Sequence, residues 1–203
     1  FIRALRWKIL LTPVKADTGL RSRFASVSIA FMANNLLPAR VGDLARAYTF
    51  SRLEPVSASA AFGSLVVERF MDGVVLLLFL IIPVYTSGFP SVEVLSEGWG
   101  AELFRFAIVL VLVVTSLLCL MAVTPRLVVR IAKRCAHFLG PKIETASVKM
   151  LESFISSIAI MRDARLLLLG FAWTLIIWTW YGLAFWLGML AFGIDTGFVA
   201  AIF

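Results

Sequence analysis

From Leu166 to Phe192 the sequence runs for 27 residues, LLLLGFAWTLIIWTWYGLAFWLGMLAF, without one charged side chain. At about 1.5 Å per residue such a helix exceeds the roughly 30 Å of a bilayer's hydrocarbon layer. A second run, AELFRFAIVLVLVVTSLLCLMAV at residues 101–123, confines Glu102 and Arg105 to its first turns. Hydrophobic residues make up 61% of the 203, against about 45 to 50% in an ordinary soluble domain. With a further apolar stretch at residues 57–85, the pattern predicts an all-α fold. The expected architecture is a polytopic transmembrane helical bundle in the cell membrane. The chain starts at Phe1 and stops inside a fresh apolar run, GFVAAIF, as expected of a single partial transmembrane domain over residues 1–203 with helices missing on both sides.

Charge placement orients these segments. Residues 1–23 carry six basic side chains against Asp17. Residues 124–165 carry eight against Glu144, Glu152 and Asp163. The net charge of +7 is thus concentrated in two stretches expected to be cytoplasmic. Residues 86–100 hold Glu93 and Glu97 with no basic residue, as an outer loop would. If residues 124–165 lie inside, the spans at 101–123 and 57–85 place residues 46–56 inside as well. Residues 24–39 must then enter and leave on one side. Their 16 residues reach only about 24 Å as a helix, and Asn34, Asn35 and Pro38 interrupt them. A re-entrant helical hairpin is predicted over 24–39. Its broken backbone needs polar partners, because unsatisfied groups facing lipid are costly.

Those partners are at hand in NNLLPARVGDLARA, residues 34–47, and in VVERFMDG, residues 66–73. Asp43 stands three residues from both Arg40 and Arg46, Glu68 and Asp72 share a helical face, and Arg69 is three before Asp72. Charges at this depth point into the protein interior or a watery cavity. Arginine forks suit phosphate. Asn35, Arg40, Arg46 and Arg69 are therefore the candidate substrate-binding residues, with Asp43, Glu68 and Asp72 as a supporting charge network. The alternative is structural pairing that pins the hairpin to its neighbour helix.

Residues 125–163 alternate basic and apolar positions in helical rhythm, as cytoplasmic or interfacial amphipathic helices do. Basic residues beside an anionic leaflet need no nucleic acid to explain them. Cys119, Cys135 and His137 show no metal-ligand spacing, so no metal, cofactor or catalytic residue is assigned. The tryptophans of residues 166–192 suit helix packing or an interfacial belt.

RALRWKILL, NNLLPARVGDLARA and SASAAFGSLVVERFMDG together resemble the lysylphosphatidylglycerol synthase transmembrane region family, with Asp43 where a glutamate is expected. The resemblance implies a helical bundle with re-entrant hairpins in two related halves. It further implies a flippase-like function, moving an anionic, aminoacylated or sugar-linked lipid between leaflets. An anionic phospholipid or lipid-linked sugar is then the expected partner, with a transferase partner or fused domain beside it and oligomers allowed. Two other functions compete: a scaffold presenting lipid to a transferase, and a membrane-embedded lipid or glycosyl transferase. The chain carries no glycine loop for a nucleotide and no self-contained catalytic motif, so a transporter is favoured over an enzyme.

Overall fold

A computed structural model describes residues 1–37, 41–85, 98–136, 141–194 and 197–198. Every regular element among them is helical: α1 (Ile2–Leu11), α2 (Leu20–Leu36), α3 (Gly42–Leu53), α4 (Ala58–Tyr85), α5 (Gly98–Val123), α6 (Pro125–Ala136), α7 (Pro141–Ile158), a 3₁₀ turn (Ala159–Arg162) and α8 (Ala164–Ala191). Residues 86–97, His137, Asp195, Pro38, Ala39 and Arg40 lie outside the described residues.

Helix ends follow local chemistry. Leu37, before Pro38, and Glu54, before Pro55, are both extended, because a following proline disfavours the helical conformation. Ser57 caps α4 by accepting from Ala60 N at 3.2 Å. Asp163 caps α8 by accepting from Arg165 N and Leu166 N at 3.0 and 3.1 Å. Proline opens both α6 and α7, where its missing N–H costs nothing.

The described chain divides into two compact units. The first joins Phe1–Arg69 to Leu117–Gly170. Within it α2 and α3 run antiparallel: Gly42 N donates to Asn34 Oδ1 at 2.8 Å at one end, and Gly19 N donates to Glu54 Oε1 at 2.9 Å at the other. A Cβ on Gly42 would lie 2.3 Å from the Ala30 carbonyl oxygen, so only glycine permits this approach. Of the predicted hairpin over 24–39, the described residues 24–36 lie in the single helix α2, and the helix that packs antiparallel on it is α3, which includes part of the 46–56 stretch that the count of crossings had placed inside. Trp7 anchors α1, its ring 4.6 Å from that of Phe50 and its Nε1 donating to Ser64 Oγ at 2.9 Å. Ser157 Oγ of α7 donates to Ala60 O at 2.6 Å beside Gly63, whose added Cβ would come within 2.8 Å of Phe154 O.

The second unit joins Phe70–Ser116 to Phe171–Phe203. Its core includes Met71, Val75, Thr174 and Ile177, and Trp178 Nε1 donates to Asp72 Oδ1 at 3.3 Å.

Among the described residues two helices are candidate membrane spans, Gly100–Val123 and Ala164–Ala191. In their most apolar windows only 11% and 22% of residues are buried. A core helix of a soluble protein would be mostly covered. These instead expose residues such as Phe106, Leu112, Phe185 and Leu187, as hydrocarbon-facing helices do.

Candidate functional site

The first unit gathers charge around one carboxylate. Glu68 of α4 is fully buried, and its Oε1 meets Arg6 Nη2 at 2.8 Å, Arg46 Nη1 at 3.0 Å and Arg69 Nη2 at 3.1 Å. Arg69 Nε also lies 3.5 Å from Asp43 Oδ2 in a half-exposed pair. Arg6 and Arg46 are as buried as Glu68, with 0% and 2% of their surfaces exposed. Burying such ions is costly unless they are paired, which the shared oxygen achieves only in part.

Arg46 shows what is left over. Its guanidinium carbon stands 3.9 Å from the Trp7 ring centroid, a cation–π contact. Nη1 serves Glu68, yet Nε and Nη2 are buried with no hydrogen-bond partner among the described residues, and neither has Glu68 Oε2. Arg46 lines a cavity of about 220 Å³ together with Arg3, Phe31, Asn34, Asp43 and Arg69. Ligand sites for drug-sized molecules are larger, about 300 to 1,000 Å³. This one has room for an anionic group such as a phosphate and part of its substituent. Four guanidinium groups, of Arg3, Arg6, Arg46 and Arg69, surround two carboxylates, Asp43 and Glu68, so the cluster is cationic.

Of the residues singled out by sequence, Arg46, Arg69, Asp43 and Glu68 are brought together here. Arg40 lies outside the described residues, and Asp72 belongs to the second unit. Asn35 is exposed and its Nδ2 donates to Phe31 O within its own helix; the neighbouring Asn34 lines the cavity. Sequence reasoning gave Asn34, Arg3, Arg6 and Trp7 no role in the site. Helical spacing carried the signal: Val27, Ala30, Phe31 and Asn34 form one face of α2, and Arg3, Arg6 and Trp7 one face of α1.

Comparison with known proteins places these residues in a wider setting. A family model described as the lysylphosphatidylglycerol synthase TM region matches residues 1–203. The UPF0104 membrane protein MJ1595 of Methanocaldococcus jannaschii is 27% identical over 169 residues, covering 81% of this chain and 49% of that protein. A second protein of that organism, the UPF0104 membrane protein MJ1078, is 32% identical over 81 residues, covering 38% of this chain and 35% of its own length. The alignments thus span half or less of the relatives they match. No solved structure matches.

Proposed function

The chain belongs to the lysylphosphatidylglycerol synthase transmembrane region family, and from that premise we propose that it handles lipid as a flippase-like transporter, receiving an anionic head group in the α2–α3 cavity. The carrying observation is Arg46: a buried arginine with two unpartnered nitrogens, lining a cavity among other guanidinium groups. In this reading Arg46 and Arg69, with Arg40 from the adjoining motif, hold the phosphate of an anionic, aminoacylated or sugar-linked lipid. Asp43 and Glu68 orient the arginines, and the acyl chains stay in the bilayer. The antiparallel α2–α3 pair, whose two outer ends meet at Gly19 and Glu54, supports a re-entrant hairpin that enters and leaves on one face of the membrane.

Leaflet-resolved lipid movement tests this, with purified protein in liposomes and anionic, zwitterionic and sugar-linked lipids offered without any transferase donor. Arg46→Gln should slow movement of the anionic lipid roughly tenfold, since a hydrogen bond to a charged group contributes about 1.5 to 3 kcal/mol. Arg134→Gln, on exposed α6, should leave it unchanged. Equal amounts of folded protein and a separate binding measurement keep stability out of the comparison. Wild-type binding and movement in folded Arg46→Gln would refute the head-group assignment. Turnover only with an added donor would favour a transferase.

A further inference from the structure

A second cationic recess lies away from the residues used above. Between α6, α7 and the 3₁₀ turn is a cleft of about 610 Å³, lined by Arg126, Arg130, Lys133, Glu152 and Arg162 over an apolar floor that includes Val129 and Ile155. Arg126, Arg130 and Lys133 follow i, i+4, i+7 spacing, so α6 turns one basic face to the cleft. No carboxylate among the described residues forms an ion pair with any of the four basic groups. Arg162 is fixed differently: its Nε and Nη2 both donate to the Ala122 carbonyl in the last turn of α5.

The position of the cleft selects among anions. Pro125 begins α6 two residues after the candidate span Gly100–Val123 ends, so the cleft opens where that helix would leave the hydrocarbon. On another face of α6, Leu127 and Ile131 are 46% and 55% exposed, which suits a helix lying in the membrane interface. An apolar floor gives nothing to a free inorganic ion but covers glycerol and the first methylenes of a lipid.

We propose that this cleft binds the phosphate of an anionic phospholipid in the leaflet that borders α6, as a site separate from the α2–α3 cavity. Arg126, Arg130 and Lys133 face the phosphate, and Arg162 ties the occupied cleft to the end of α5. A zwitterionic lipid is disfavoured because its ammonium group would meet the same cations. Glu152 weakens the site by its like charge and sets its selectivity.

The experiment uses purified protein in phosphatidylcholine liposomes containing a minor fraction of spin-labelled phosphatidylglycerol or, in parallel, spin-labelled phosphatidylcholine. The motionally restricted fraction of each label gives their relative affinity. Wild type should prefer phosphatidylglycerol, and Arg126→Gln with Arg130→Gln should cut that preference at least roughly fivefold, the effect of about one basic residue near a membrane surface. Glu152→Gln should raise the preference, Arg134→Gln, off the cleft, should leave it unchanged, and millimolar inorganic phosphate should not displace the lipid. Wild-type preference in the folded double variant would overturn the proposal, as would displacement by free phosphate. If the double variant does not fold, Glu152→Gln decides: an unchanged or lower preference overturns it.

Discussion

Arg46 and Glu68 meet through a single pair of atoms, Nη1 and Oε1 at 3.0 Å, although both side chains are almost wholly buried and each could offer more. A bidentate fork would have satisfied both groups. Here Glu68 divides one oxygen among Arg6, Arg46 and Arg69, and Arg46 keeps donors in reserve.

Glu68→Gln should therefore be severely destabilising, because Arg6 and Arg46 would stay buried without their counter-charge. The expected loss is about 3 to 5 kcal/mol. Arg69→Gln, whose side chain is 44% exposed, should cost about 1 kcal/mol or less. Thermal unfolding in detergent followed by circular dichroism compares the two, and equal losses would contradict a shared buried oxygen as the centre of the cluster.

The two adjacent asparagines should behave differently. Asn34→Ala removes the acceptor of Gly42 N and should cost about 0.5 to 1.5 kcal/mol. Asn35→Ala, at an exposed position bonded only within α2, should stay within about 0.5 kcal/mol of wild type. Gly42→Ala should cost more than either, since backbone must shift to admit its Cβ. The same melting experiment ranks the three.

Acid should loosen the open end of the hairpin. Glu54 is held below the ordinary glutamate pKa, first by the hydrogen bond from Lys15 Nζ at 2.6 Å and then by Gly19 N. A carboxylate favoured in its charged form by folding contributes stability that is present above the unfolded pKa and lost as pH falls through the folded one. The melting temperature should accordingly decline below the ordinary glutamate range. Glu54→Gln should start lower at neutral pH and decline less over the same interval; parallel curves for the two proteins would show that Glu54 does not carry the effect.

Membrane sidedness is open to single-cysteine labelling in intact cells. Cysteines at exposed Arg21 and Arg52, near the two outer ends of α2 and α3, should share protection from an impermeant outside reagent, while one at Ser96 should react. Reaction at only one of the two outer ends would rule out a re-entrant arrangement.

The long uncharged runs were legible in the sequence because each must be covered by lipid or by protein along its whole length, and the three polar motifs were specific enough to indicate the family. The charge count was harder to read. Arg6 and Arg23 enter a tally of basic residues as surface charge, yet Arg6 binds Glu68 and Arg23 Nη1 donates to Ala4 O at 2.6 Å, both inside the first unit. Burial of an arginine depends on partners that stand 19 residues away in one case and 62 in the other, and no local pattern records them. The return arm α3 escaped for a related reason: its apolar content is low, and its fit against α2 is marked by a close approach at Gly42 and by contacts at the two ends, Asn34 with Gly42 and Gly19 with Glu54, that no local pattern records.

The bond from Ser157 to the Ala60 carbonyl joins residues 97 positions apart, and this separation has a consequence for biosynthesis. At a translation rate of about 5 to 20 residues per second, α4 waits roughly 5 to 20 s for the helix that covers its Ala60–Gly63 surface. In that interval α5 must also be synthesised, so the first unit closes only after the intervening chain has been made. A ribosome paused between α5 and α7 would hold a nascent chain whose α1–α4 segment is complete but lacks that cover, the stage at which a membrane chaperone has its opening.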